Sequence, residues 1–333
     1  MVNFNPAAMP ADLISPELEE LVANQLAAAE ALLGKTCQSE TPFINEMTTH
    51  LVNAGGKRFR PLITILASTL GDATRSEVIK AAVVIELTHL ATLYHDDVMD
   101  EAPLRRGTQS ANDRFGNAAA ILAGDFLFAR ASELVADLGP AAVRLQAQTF
   151  ERLVTGQLLE TVGPAAGVDP VEHHLHVLAE KTGSLIATAA QFGAEFAGAN
   201  TAEISSMREY GEAIGIAFQL ADDIIDLTSD SVDSGKTPGT DLLEGVPTLT
   251  TLLIQRANQD VDAPLIELLA NQVPLDQLPQ VLSLIRSHDA LLEAKSVAHS
   301  WAERAKSAVK DLSNPATKQT LVALCDAVIA RSA

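Results

Sequence analysis

Aromatic side chains and cysteines are scarce in this chain, and positive charge is in short supply. Phe, Tyr and Trp make up 4% of its 333 residues. No segment alternates apolar and polar residues in the manner of a strand. Together these argue against a β-sandwich or barrel and for an all-α fold built on abundant alanine and leucine. The two cysteines, Cys37 and Cys325, stand far apart and outside any Cys-x-x-Cys pattern. They read as ordinary thiols of a reducing compartment rather than as a disulfide framework. Lys and Arg number 23 against 43 Asp and Glu, a net charge of −20. Nucleic acid and anionic membrane surfaces are poor partners for such a chain. No apolar run reaches the ~18 residues of a membrane span; Lys80 and Glu86 interrupt the best candidate. The opening Met-Val-Asn-Phe-Asn-Pro has neither a basic n-region nor an apolar h-region. A soluble, cytoplasmic protein is expected.

What is present is helix. Helical periodicity is expected at about 15–33, 42–53, 61–71, 76–99, 111–136, 140–162, 171–197, 202–228, 246–257, 262–270, 275–286, 289–311 and 315–331. Gly71-Asp72, Gly139-Pro140, Gly163-Pro164 and Asn314-Pro315 read as breaks. No linker separates two halves, so residues 1–333 are expected to form one helical domain. Residues 1–10 read as a loose arm. The longest polar stretch, Ser229 to Gly245, is placed to fold over whatever site precedes it.

What precedes it is the second of two matching words: Asp-Asp-Val-Met-Asp at 96–100 and Asp-Asp-Ile-Ile-Asp at 222–226, the only Asp-Asp pairs in the chain. On a helix, positions i, i+1 and i+4 fall within roughly a 100° sector, so Asp96 and Asp100 lie one above the other about 6 Å apart with Asp97 to one side. Carboxylates that close repel unless cations sit among them. Oxygen-only ligands suit hard cations, and Mg²⁺ favours one or two carboxylates completed by water and phosphate. A solvated acidic helix face is the plainer alternative for one such word. Two words embedded in apolar sequence speak against it, because unpaired carboxylates are seldom placed there.

The scarce cations gather near these words. Gly55-Gly56-Lys57-Arg58-Phe59-Arg60-Pro61 packs three of them into four positions, and Pro61 favours a helix start. Glycines and a helix N-terminus suit a diphosphate cradle, without the pattern of a P-loop. Arg105-Arg106 follows the first aspartate word, and guanidinium forks fit phosphate oxygens. Lys236 stands in the proposed lid. His89 lies seven residues before Asp96, on nearly the same stripe and about 10 Å deeper; a lone histidine on an apolar helix is more often a satisfied core residue. Lys181-Thr182 and Gln219 place polar groups in apolar runs, where they need partners.

These pieces occur in one order that resembles the all-trans polyprenyl diphosphate synthases over nearly the full length. The matching residues are Gly55 to Pro61, His89, His95 to Glu101, Arg105-Arg106-Gly107, Gly124-Asp125, Lys181-Thr182, Phe218 to Asp223, Asp226, and Gly235-Lys236 through Asp241-Leu242. The resemblance implies an all-helical fold around a deep central cavity, usually as a homodimer. It implies that Asp96, Asp100 and Asp222 ligate Mg²⁺ ions bridging to an allylic diphosphate, with Asp97, Asp223 and Asp226 as outer partners. Arg105, Lys181 and Lys236 would bind that diphosphate. Lys57, Arg60, His89 and Arg106 would hold isopentenyl diphosphate, and Thr182 and Gln219 would present dipoles to the developing cation. One departure stands out: where the family often has a lysine after the lid, this chain reads Gly245-Val246-Pro247-Thr248.

The resemblance also implies that residues upstream of the first word line the floor for the growing tail. Here they are Ala91, Thr92, Thr88 and Ile85. Tyr94, the one Phe, Tyr or Trp nearby, points away from the Asp96 stripe, which therefore carries no such side chain for about 16 Å below Asp96. A long product of seven to nine isoprene units, as in quinone side chains, is expected, with Phe126 or Phe128 as candidate floors. Geranylgeranyl diphosphate synthase is the alternative within the family. A terpene cyclase or a non-catalytic synthase subunit fits less well, since cyclases vary the second metal motif and a silent subunit would have lost aspartates. Peripheral membrane association would come only through the lipid product. A di-iron bundle needs a second Glu-x-x-His word to face Glu86 and His89, and no suitable helix carries one. The tract His173, His174, His176 lies away from every matched motif in the sequence, and no metal role is assigned to it.

Overall fold

A computed structural model describes residues 15–229 and 238–331. They are helical almost throughout: α1 (Pro16–Thr36), α2 (Pro42–Asn53), α3 (Phe59–Ser68), α4 (Ser76–Met99), a hairpin of β1 (Leu104–Arg105) and β2 (Thr108–Gln109), α5 (Ala111–Phe115), α6 (Asn117–Ala136), α7 (Pro140–Val162), α8 (Pro170–Leu178), a π turn (Ala179–Gly183), α9 (Ser184–Ala197), α10 (Thr201–Thr228), α11 (Thr240–Glu244), α12 (Leu249–Ala257), α13 (Ala263–Leu269), α14 (Leu278–Arg286), α15 (Asp289–Ala308) and α16 (Pro315–Ala330). Pro16, Pro42, Pro140, Pro170 and Pro315 each open a helix, where a missing N–H costs nothing and φ is already helical.

Helix α4 is the axis of the fold. Every residue from Ala81 to Thr88 is buried, so the helix is enclosed on all sides. It packs on α6, α9, α3 and α1, while α10 packs on α9 and α15. Three apolar clusters fill the interior. One lies among α3, α4, α9, α10 and α16. A second joins α4 to α1, α2 and α6. A third gathers α8, α10 and the helices from α11 to α15. The two aspartate helices α4 and α10 are thus held in place by α9, which packs on both.

Several boundaries differ from the periodicity. The expected 61–71 helix begins two residues earlier, at Phe59, because Arg58 caps it in the left-handed region at φ 49°. Pro61 sits in its first turn, where no donor is missed. Gly116 at φ 86° splits the expected 111–136 helix into α5 and α6. The expected 171–197 helix is interrupted by the π turn. The hairpin was not legible as strand, being two residues on each side. Its turn has Arg106 at φ 55° and Gly107 at φ 75°, the paired left-handed conformations that close a two-residue hairpin. The proposed lid contains α11; residues 230–237, including Lys236, lie outside the described residues, as does the expected N-terminal arm. Among the described residues, no helix is long and apolar enough to cross a membrane.

Candidate active site

Both aspartate words sit at the C-terminal ends of their helices. Asp96 lies in the last turn of α4 and Asp100 is its C-cap, with no basic residue in that turn. Asp222, Asp223 and Asp226 occupy the last turns of α10, again without a basic residue in the final turn. Carboxylates at a helix C-terminus add to the negative end of the macrodipole, an arrangement that favours cations between them. The carboxyl groups register this. Burial pushes Asp96 up to about 6; Lys181 and Arg105 oppose the shift, and Asp100 and Glu160 add to it. Burial likewise raises Asp223 to about 7, against a hydrogen bond from Gln219 and with repulsion from Asp222, Asp226 and Glu160.

Two acids absent from the sequence reading show that the words face one another. Glu160, on α7, acts on both Asp96 and Asp223. Glu244, at the end of α11, is raised by burial and by Asp100 and Asp226 together. Both acids therefore feel carboxylates from each word. Glu244 also adjoins Gly245-Val246, where the resemblance led one to look for a lysine.

The six aspartates have different surroundings. Asp97 is fully buried and is paired with Arg105, whose Nε donates to its Oδ1 at 2.5 Å. That commits Asp97 to orienting the hairpin. Arg105 Nη2 also lies 3.9 Å from Asp100 Oδ2. Asp222 accepts from Arg331, just beyond α16, at 2.7 Å. Asp223 accepts from Gln219 Nε2 at 2.9 Å. Asp226 accepts from the backbone N–H of Asp241 at 3.2 Å and of Gly239 at 2.9 Å, through Oδ2 and the carbonyl respectively, tying α10 to α11. Among the described residues, no three acidic, imidazole or thiol groups draw together tightly enough to cage an ion unaided. Oxygen-only donors that leave positions for phosphate and water fit Mg²⁺ better than a closed protein cage would.

A group of cations gathers around His89. Arg58 is not among the available ones: Nε and Nη2 donate to Glu30 at 2.6 and 2.8 Å, and Nη1 donates to Glu86 at 3.0 Å. Arg60 has no partner for its buried Nε. Burial lowers its guanidinium to about 10; Glu86 works against that and Arg106 reinforces it. Arg106 donates to the carbonyls of Leu51, at 2.8 Å, and Gly55, so it orders the glycine loop. Burial and then Arg60, Arg106, Arg105 and Arg58 hold His89 well below the usual imidazole range. It is neutral at physiological pH. Lys57 Nζ lies over the Phe218 ring at 5.5 Å and Arg331 over the same ring at 5.3 Å. Phe218 stacks on Phe59 at 4.8 Å, so the basic loop abuts α10 four residues before Asp222.

Lys181 and Thr182 lie in the π turn. Lys181 Nζ donates to Glu160 at 2.5 Å, and Thr182 Oγ1 reaches Gln219 Oε1 at 3.5 Å. With Gln219 on Asp223, this forms a polar chain from the π turn to the second word.

The upstream stripe on α4 divides between neighbours. Ile85 belongs to the cluster with α3 and α9, and Ala91 to the cluster with α2 and α6. Thr88 Oγ1 accepts from Gln146 Nε2 of α7 at 3.3 Å, and Thr92 Oγ1 donates to the His89 carbonyl at 2.8 Å. Tyr94 is directed at α2: its hydroxyl donates to the Met47 carbonyl at 2.5 Å and accepts from Leu51 N–H at 3.3 Å. Of the two candidate floor rings, Phe128 packs 5.7 Å from His95 and 4.4 Å from Phe150 of α7. Phe126 lies under Arg130 at 5.0 Å.

The histidine tract requires a correction. His174 is 4.0 Å from Asp223 Oδ2, so the tract does not lie away from the matched motifs. Burial first, then His173, lowers His174 to about 4. Helix α8 returns beside α10, a contact that spacing along the chain does not reveal. Glu160, Glu244, Arg331, Gln146 and Phe150 escape the sequence reading for the same reason, since none forms a local pattern, whereas His174 stands in a visible tract whose place beside α10 only the fold shows.

Comparisons with known proteins bear on these surroundings. The polyprenyl synthetase family model matches residues 41–285. A nonaprenyl diphosphate synthase of Mycobacterium tuberculosis is 45% identical over 308 residues, 92% of each chain. Among solved structures, a geranylgeranyl pyrophosphate synthase of Corynebacterium glutamicum, complexed with calcium and isoprenyl diphosphate, superposes with a TM-score of 0.86 at 42% identity, covering 95% of this chain and 98% of that one. A decaprenyl diphosphate synthase of Rhodobacter capsulatus gives a TM-score of 0.86 at 31% identity, over 95% and 99%.

Proposed function

The chain belongs to the polyprenyl synthetase family, and we propose that it condenses isopentenyl diphosphate head-to-tail with an allylic diphosphate to make a long all-trans polyprenyl diphosphate of the kind carried by quinones. It is a prenyltransferase with the helical fold of that family. The observation that carries the reading is charge segregation. Two carboxylate words have members raised to about 6 and about 7, and they share a region with Arg60, a cation whose buried Nε has no partner. Magnesium together with two diphosphates supplies the charge that each side lacks.

Asp96, Asp100 and Asp222 are the residues proposed to hold Mg²⁺, with Asp223 and Asp226 supporting them from outside. When bound, the metal supplies Lewis-acid stabilisation of the departing diphosphate. Arg105 and Lys181 bind that diphosphate, and Lys236 is proposed to do so from the lid. Lys57, Arg60, Arg106 and neutral His89 hold isopentenyl diphosphate so that its double bond lies near the allylic carbon. As the allylic C–O bond breaks, Thr182 and Gln219 turn their dipoles toward the positive carbon. The double bond attacks, a proton is lost to the released diphosphate, and the product is one isoprene unit longer. Water must be kept from the cation; α11, tied to Asp226 through the backbone of Gly239 and Asp241, is proposed to help close the site.

Product length rests on the small residues Ala91, Thr88 and Thr92 and on the relatives' names. Incubating the chain with radiolabelled isopentenyl diphosphate, Mg²⁺ and geranyl or farnesyl diphosphate, then sizing the dephosphorylated product, is expected to give seven to nine isoprene units. A product stopping at four units would support the geranylgeranyl alternative. A hydrocarbon formed from the allylic diphosphate alone would overturn the reading.

The same reading includes a homodimer. Val154, Leu158 and Val162 stand at four-residue spacing on α7, 39%, 60% and 81% exposed, with Ile121 and Leu122 exposed on the neighbouring α6. An apolar surface stripe of this kind suits a subunit interface. A cytoplasmic location accords with Cys37 and Cys325, both free and buried.

A further inference from the structure

The π turn carrying Lys181 and Thr182 is clamped from α7. Arg152 Nε donates to both carboxylate oxygens of Glu180, at 3.0 Å each, and Nη2 donates to Oε1 at 2.7 Å. The same Nη2 donates to Glu212 Oε1 of α10 at 2.8 Å. One guanidinium thereby ties three segments: α7, the π turn and α10. One turn further along α7, Gly156 makes the close approach possible. A Cβ there would stand 2.5 Å from the backbone nitrogen of Lys181 and 3.0 Å from the carbonyl carbon of Glu180. Another turn on, Glu160 receives the Lys181 ammonium. Helix α7 therefore meets Glu180 and Lys181 at successive turns.

A π turn holds one residue more than the α-helix around it, so side chains beyond it are rotated by about 100° from where a regular helix would aim them. Something must hold the extra residue. We propose that Arg152 is a positioning residue: its fork on Glu180, anchored to Glu212, sets the register of the π turn and hence the aim of Lys181 and Thr182. This rests on the function proposed above, in which Lys181 binds the allylic diphosphate. The isopentenyl diphosphate cradle is elsewhere, at α3 and the hairpin, so the two substrates respond differently to loss of the clamp.

The test is steady-state kinetics of the full-length chain with farnesyl and isopentenyl diphosphates and Mg²⁺, for wild type, Arg152→Leu, Arg152→Lys and Gly156→Ala, alongside thermal unfolding. Arg152→Leu is expected to raise KM for farnesyl diphosphate about tenfold and lower kcat, leaving KM for isopentenyl diphosphate within about twofold. Arg152→Lys keeps the charge without the fork and should fall between. Gly156→Ala, which keeps Arg152 itself and pushes the backbone of Glu180 and Lys181 away from α7, should reproduce the farnesyl-selective defect. Folded variants with both KM values unchanged, or with both raised equally, would overturn the proposal. If Arg152→Leu does not fold, Arg152→Lys and Gly156→Ala carry the same comparison. A wild-type chain that fails to extend any allylic primer would overturn the parent reading as well, which separates the two failures.

Discussion

Asp96 and Asp97 are neighbours with opposite surroundings. Asp96 faces Lys181 and Glu160 across the site, with Asp100 one turn on along its own helix, and Asp97 is buried against Arg105. Their substitutions should therefore separate. Asp96→Ala is expected to lower kcat/KM by about 100-fold or more with little loss of stability, because it removes charge aimed at the reacting diphosphate. Asp97→Asn should cost about 2–4 kcal/mol of stability, since it strips a mostly buried arginine of its partner, with activity falling as the hairpin loosens. Parallel kinetics and denaturant titration check the pair; equal effects on both quantities would refute the division. The pH dependence follows from the raised carboxyl groups. Asp223 sits near 7 in the fold and near 4 when unfolded, so the unfolded chain holds fewer protons between those values. Its contribution to stability is complete below about 4 and is lost as pH rises through about 7, an effect of roughly a few kcal/mol at most. In a metal chelator, thermal stability should fall from pH 5 to pH 7.5. Mg²⁺ with inorganic diphosphate should restore more stability at pH 7.5 than at pH 5; a flat profile in chelator would contradict the burial of Asp223.

At the scale of elements, α6 packs on both α4 and α7, which brings side chains of all three helices together near His95. Ala91 packs toward α6, and Phe128 and Phe150 form an aromatic pair between α6 and α7. Ala91→Phe is expected to shorten the product, and Phe128→Ala to lengthen it, each read by sizing the dephosphorylated polyprenol. An unchanged length in Ala91→Phe would remove that position from the floor. Most of these helices were legible beforehand, because a 3.6-residue apolar period is a local signal. The exceptions had causes that lie outside that period. Gly116 breaks α5 from α6 through a positive φ. The π turn keeps a helical appearance in sequence and owes its extra residue to partners on α7 and α10. The Arg106-Gly107 turn is local, yet strands two residues long leave no alternation to detect.

For the molecule as a whole, a net charge of −20 coexists with a site for anions because cations are concentrated rather than abundant. Arg60, Arg106, Arg105 and Arg58 all act on one histidine. Most of the site lies on α3, α4, α7, α10 and the hairpin, and the apolar stripe on α7 lies on a helix that also carries Glu160. Leu158→Asp is therefore expected to shift the chain from dimer to monomer in light scattering and to lower activity together with assembly. A wild-type monomer would overturn the homodimer.

By itself the sequence determined the helical class, the two aspartate words, the basic glycine loop and the bare stripe above Ile85, because each is a pattern within a few turns of one segment. Tertiary structure decided which of those residues remain available. It turned Arg58 to Glu30 and Glu86, committed Asp97 to Arg105, placed Arg331 on Asp222, and brought His174, Glu160 and Glu244 beside the words. Those outcomes depend on contacts between residues from a few to more than a hundred positions apart, and on burial, which raises the carboxyl groups of Asp96 and Asp223 and lowers the imidazole of His89. A linear pattern names the chemistry that a residue can perform; only its packed neighbours determine whether that residue is spent on structure or left for a substrate.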